Sequence, residues 1–310
     1  PSNSSAASDV YKRQEKSRAK SQITFDEDFN VPDAKPDVGR LIQYKGRISM
    51  DDVHLADGKG ILRGDLQVDI LYVGEENGII SSITAKLPFE ETLNLKDIVN
   101  GDKLCLKWEI EDLTIRLIHS RKLNIKALVT FYGAVDETEQ VRLPVALDAT
   151  DISVRKKTVR FLGLTVHKKD TLRVKDEYTI ASNRPDISGL IWYTMDIRGL
   201  DLKPEENIVK ARGELTVFVL YESEDTETPV QWLEYSLPFS GEVECPDCTE
   251  ELIPDIEVSV MHQSLEVKPD ADGEERILVS DVVLELDMKF FREEELSLIH
   301  ISEPTRLALI

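Results

Sequence analysis

The chain repeats itself. Lys35-Pro36-Asp37-Val38 returns as Arg184-Pro185-Asp186-Ile187, an offset of 149 positions. The same offset carries Leu41 to Leu190, Ile42 to Ile191, Tyr44 to Tyr193, Ile48 to Ile197, Gly64 to Gly213, Leu66 to Leu215 and Leu71-Tyr72 to Leu220-Tyr221. After one inserted residue, Leu87-Pro88-Phe89 matches Leu237-Pro238-Phe239. Upstream, Phe29 and Val31 align with Tyr178 and Ile180, so each unit begins before its Pro-Asp. A register kept through so many apolar and turn positions predicts two domains of one fold, joined between residues 150 and 160.

Within each copy the apolar period is two, the mark of strands with one buried face. Leu66, Val68, Ile70 and Tyr72 alternate with Asp65, Gln67 and Asp69, and Leu215, Val217, Val219 and Tyr221 repeat the arrangement. Further strands are expected at 43–50, 79–88, 103–119 and 122–133, then at 192–200, 231–238, 255–267 and 276–291. Gly, Asn and Asp clusters at 56–60, 74–78, 224–226 and 269–273 supply the turns between them. Asp37 and Asp186, each behind a proline, are expected to cap one short helical turn that includes Leu41-Ile42 or Leu190-Ile191. The expected fold is all-β: two tandem antiparallel sandwich or partly open barrel domains, each with that turn.

The two ends read differently. Ser4 to Gln14 is the in-frame translation of a transposase-type sequencing adapter, and Leu296 to Arg306 is the reverse complement of the opposite adapter. Residues 1–14 and 296–310 are therefore set aside as adapter-derived. That leaves 15–152 as the first domain, truncated at its N-terminus, and 153–295 as the second, in what is expected to be an open-ended fragment of a longer gene.

Charge narrows the class of partner. The chain carries 59 Asp+Glu against 38 Lys+Arg, a formal charge of −21. With no basic stripe to release counterions, binding to nucleic acid or to an anionic membrane surface is disfavoured, and membrane insertion is not expected. Three cysteines cannot make a disulfide framework, which together with the lack of a signal-peptide pattern favours a reducing, cytoplasmic compartment.

Several motifs could carry chemistry. Cys245-Pro246-Asp247-Cys248 has the spacing that lets two sulfurs reach one zinc or form a redox pair, yet it is half a site. Cys105 stands alone, and the first copy has Leu95-Lys96-Asp97-Ile98 at the matching place, so the pair reads as an incidental loop pair. His54, His119, His167 and His262 are scattered without metal-ligand spacing, and no G-x-S-x-G elbow supports a serine nucleophile. Asp270-Ala271-Asp272-Gly273-Glu274-Glu275 resembles the start of a calcium loop but lacks the later ligands, so a hairpin turn is expected. Lys35 and Arg184 could each pair with a neighbouring carboxylate. Trp108, Trp192 and Trp232 could stack on sugars, but at strand positions they read as core or edge aromatics. No catalytic, cofactor-binding or metal residue is assigned, and no cofactor and no enzymatic activity are expected.

With Val31-Pro32-Asp33-Ala34-Lys35-Pro36-Asp37, Ile70-Leu71-Tyr72, Leu87-Pro88-Phe89 and the run Ser120-Arg121-Lys122-Leu123-Asn124-Ile125-Lys126-Ala127 in view, the chain resembles the SPOCS-domain family of clostridial spore coat morphogenetic proteins, typified by SipL. The resemblance covers nearly all of residues 15–295. It implies non-enzymatic, repeated β domains with a sporulation role: assembly of the spore coat on the mother-cell side of the forespore surface, through contacts with other coat proteins. Relatives commonly add a C-terminal LysM domain that contacts the coat-scaffold ATPase, and this sequence carries no LysM segment. The leading expectation is a non-catalytic assembly module working through protein-protein contacts. A carbohydrate-binding or cell-envelope β-module is the alternative, and an enzyme built on a carboxylate pair a distant third.

Overall fold

A computed structural model describes the backbone of residues 5–301 except 77, 100, 101, 103, 148–153 and 226, and side chains within 15–135 and 160–295 apart from those positions, with 158 besides. The expected boundary at 152/153 lies outside the described residues, as do 1–4 and 302–310. At 5–14 and 296–301 only the backbone is described.

Twelve strands follow one another. The first six are β1 (Ser5–Asn30), β2 (Val38–Ala56), β3 (Lys59–Gly74), β4 (Ile80–Asn94), β5 (Leu104–His119) and β6 (Lys122–Leu147). The second six are β7 (Val154–Thr179), β8 (Ile187–Glu205), β9 (Ile208–Ser223), β10 (Val230–Glu244), β11 (Ile253–Pro269) and β12 (Glu275–Ile301). Each set makes two antiparallel three-stranded sheets, β2-β3-β4 over β1-β6-β5 in the first domain and β8-β9-β10 over β7-β12-β11 in the second. Outer strands of the two sheets approach each other, β1 with β4 and β2 with β5, so each sandwich is partly closed at its edges. Alternation places Leu66, Val68, Ile70 and Tyr72 in one core with Leu123, Ile125, Val129 and Phe131 from the opposite sheet. Leu215, Val217, Val219 and Tyr221 face Leu284, Leu286, Met288 and Phe290 in the other. Two tandem all-β domains are thus present as expected. The strands β1 and β7, too charged to show a clean alternation, complete each sandwich.

One expectation is corrected: the described residues contain no helix. After Pro36 the chain goes straight into β2, and Leu41 pairs with Tyr72 in the ladder. Asp37 caps nothing. Its main-chain oxygen accepts from Glu75 N (2.9 Å), and its carboxylate accepts from Ser120 Oγ (3.0 Å) and Arg121 Nη1 (2.9 Å). With the carboxylate drawn toward the β5–β6 hairpin, no side chain remains to cap the amides ahead, and pairing with β3 holds them extended.

The repeated motifs explain one another. Tyr72 donates its hydroxyl proton to Pro36 O (2.9 Å), and Tyr221 does the same to Pro185 O (3.4 Å). The tyrosine of the repeated Leu-Tyr pair therefore latches the Pro-Asp turn to the central strand. Pro88 and Pro238 lie on β4 and β10, outer strands of their sheets, where a missing N–H costs no ladder bond. Phe89 lies across from Gly64, and Phe239 across from Gly213.

The two domains meet through equivalent elements. Lys107 on β5 bonds Glu257 on β11 at 2.7 Å, positions 150 apart, and β6 lies against β12 as β1 does against β7. Like-on-like contact is what a two-fold pairing produces and a head-to-tail stack does not.

Candidate functional site

The outer face of β8-β9-β10 is the site to which the structure gives most chemistry. Cross-strand pairing puts Trp192, Leu220 and Trp232 in one row, with Phe218 one step along β9 on the same face. The first domain covers one end of that row: Leu71, Ile191 and Trp192 are buried together, with Ile80, Phe218, Leu220 and Val230 packed on them. Lys45 crosses from β2, donates to Tyr193 O at 3.0 Å and holds its ammonium 5.0 Å from the Trp192 ring and 5.7 Å from the Tyr193 ring. Burial pulls the Lys45 pKa below its ordinary value, with Asp69 and Asp196 opposing that loss. A cleft of 230 Å³ remains there, bounded by Lys45, Arg47, Asp69, Thr84 and Tyr193 among others.

The other end of the row is open. Trp232 is 60% exposed and stacks on Phe218 with centroids 6.2 Å apart and planes 25° off parallel. Trp192 is thus buried at the junction of the two domains, outside the sandwich core, while Trp232 and the half-exposed Trp108 sit on outer strands. Repeat alignment could have singled this face out, because the first copy has Gln43, Asp69 and Ser82 where the second has Trp192, Phe218 and Trp232. Lys45 left no such signal, since its partner residues come from the other domain.

Lys35 and Arg184 do not hold the turn carboxylates. Arg121 does so in the first copy, donating to Asp37, Asp33 Oδ1 (3.3 Å), Lys35 O (2.7 Å) and Val31 O (3.0 Å). Arg276 does so in the second, pairing with Asp186 and donating to Ala181 O (2.8 Å) and Arg184 O (3.0 Å). Arg184 instead donates to Trp232 O at 2.7 Å. The two clamps are equivalent because Val31 N and Ile180 N reach Arg121 O and Arg276 O. A longer β11–β12 turn displaces the second arginine from the 149 offset, so the repeat does not align it with Arg121. That turn is the expected hairpin: Asp270 Oδ1 accepts from Asp272 N (2.9 Å) and Glu274 N (3.1 Å), and Gly273 takes a φ of 87°.

Cys245 and Cys248 are fully buried in the core of the second domain, in the positions that Leu95 and Ile98 fill in the first. Cys248 Sγ donates toward Glu205 O (3.2 Å) and Ile208 O (3.4 Å), and Asp247 between them takes a φ of 67°, matching Asp97 at 58°. Burial, and next the Cys248 thiol, push Cys245 up to about 12. Both therefore act as small core residues. In native protein near pH 8 a thiol reagent should modify the partly exposed Cys105 first and the pair only on unfolding; three prompt thiols would contradict this. Because folded Cys245 keeps its proton where the unfolded chain, near the ordinary 9.0, has lost it, stability should fall as pH rises from 9 toward 12. Of the histidines, His167 contacts Asp287 Oδ1 at 2.7 Å, His119 Nδ1 accepts from Arg121 N at 3.3 Å, and His54 and His262 are exposed. The four are not brought together.

The family model described as SipL, SPOCS domain, matches residues 37–118 and again residues 186–268, together more than half of the chain. The chain belongs to the SipL SPOCS-domain family. Each SPOCS match spans β2 to β5 or β8 to β11 and stops short of the flanking strands that close the sandwich. No curated protein and no solved structure matches the chain.

Proposed function

We propose that this SPOCS protein is a non-catalytic assembly module of the sporulating cell, working in the mother-cell cytoplasm on the forespore surface and binding other coat proteins. The tandem SPOCS match carries the reading. Two features support it. The domains are joined through packed outer faces into one body, and one such face continues past the junction as an exposed aromatic patch. Most described carboxylates with altered pKa values are lowered by a neighbouring Lys, Arg or amide, as Lys126 lowers the exposed Asp26 and Arg173 lowers the half-covered Asp281, an arrangement of ion pairs rather than of groups poised for proton transfer. Deleting the gene in a spore-forming host should leave spores whose coat is detached or misplaced under electron microscopy. Normally coated spores would remove the proposal.

The exposed Trp108 and Trp232 favour one second reading, a carbohydrate- or envelope-binding β-module. Retention of the fragment on peptidoglycan or chitin, lost on substitution of those tryptophans, would establish it.

A further inference from the structure

We infer that the open end of the aromatic row, Trp232 on Phe218, binds a lysine or arginine side chain presented by a partner protein. The inference deepens the assembly reading and rests on it only for the partner being a protein.

The covered end of the same row shows what this face accepts. There the first domain supplies an apolar lid, Leu71 and Ile80, and one cation, Lys45, over Trp192. Leu220 is shared: it pairs with Trp192 on one side and Trp232 on the other, so the open end continues an interface already formed. Ring faces attract cations, most strongly when the surroundings are apolar and acidic groups stand near. Alternation along β9 and β10 sets Glu222 and Glu234 on this face, Glu234 opposite Phe218 and Glu222 opposite Val230. Arg184 is tied to the backbone here, donating from Nη1 to the Trp232 carbonyl at 2.7 Å. The net charge of −21 adds a long-range pull on a basic partner. Because the first copy has Ser82, Asp69 and Gln43 at these places, the site belongs to the second domain alone.

The test uses the full chain and three probes in titration calorimetry: an eight-residue peptide alternating leucine with lysine and arginine, the same peptide with norleucine for each basic residue, and chitohexaose. The basic peptide should bind, and Trp232→Ala should weaken it by about tenfold. Trp232 is mostly exposed, so the variant should fold; Glu234→Lys, which leaves the ring in place, should weaken binding by about fivefold and reduce its salt dependence. Equal affinity for the norleucine peptide would overturn the inference, as would indifference to both substitutions or binding of chitohexaose in place of the basic peptide. A failed titration beside a defective coat in the deletion strain would sink this site and leave the assembly role standing.

Discussion

Gly64→Ala is expected to cost the first domain about 3 kcal/mol, enough to unfold it ahead of the second. An ideal Cβ at Gly64 would stand 2.2 Å from Ser49 O, 3.2 Å from Met50 Cα and 3.2 Å from Phe89 Cζ. The first neighbour is main chain and cannot move without parting β2 from β3, whose ladder already slips by one residue between Met50 and Asp52. The equivalent Gly213→Ala should be milder, about 1–2 kcal/mol, because the new methyl meets the Phe239 ring at 2.9 Å and Arg198 O only at 3.2 Å, and a ring can swing. Urea unfolding distinguishes the two, since Trp108 reports on the first domain and Trp232 on the second, whereas Trp192, covered by Leu71 and Lys45, responds when either domain opens. Equal losses at the two glycines would show that β2 and β3 are not held as closely as this approach requires.

Arg276→Ala should destabilise the second domain by about 3 kcal/mol or more, because removing one partner of a buried pair strands the other charge. The Arg276 side chain is only 10% exposed and holds Asp186, the carbonyls of Ala181 and Arg184, and Glu274 at 3.7 Å. Arg121→Ala removes the matching clamp from a site 29% exposed, where water can take over part of the hydrogen bonding, so about 1–2 kcal/mol is expected there. Lysine should fail to rescue either position, since one ammonium cannot span a carboxylate and two carbonyls as a planar fork does. An Arg276→Lys variant as stable as the parent in thermal unfolding would show that charge alone holds the turn.

Most of the architecture was legible because its causes are local. Period-two burial marks a strand wherever it occurs, and Leu66 to Tyr72 with Leu215 to Tyr221 did so twice in the same phase. The helical turn failed because the Asp37 and Asp186 carboxylates have longer-range competitors, Arg121 and Arg276, 84 and 90 positions further along. A cap is a local preference of about 1 kcal/mol, and a hydrogen-bonded ion pair in a partly buried turn outweighs it. Cys245 and Cys248 look like chemistry in isolation and like Leu95 and Ile98 once the core is seen around them. The aromatic face lay between these cases: its residues were visible as departures from the first copy, its exposure was not.

Two all-β domains of one kind, their turns, their family and a strongly acidic charge were therefore readable from the chain alone, because repeat register, alternation and net charge are properties of the residue order. Only the tertiary structure decided which arginines clamp the Pro-Asp turns, how the domains pair and which tryptophan stays in water. Those outcomes depend on residues 84 to 150 positions apart being brought within hydrogen-bonding distance, and no local pattern encodes that approach.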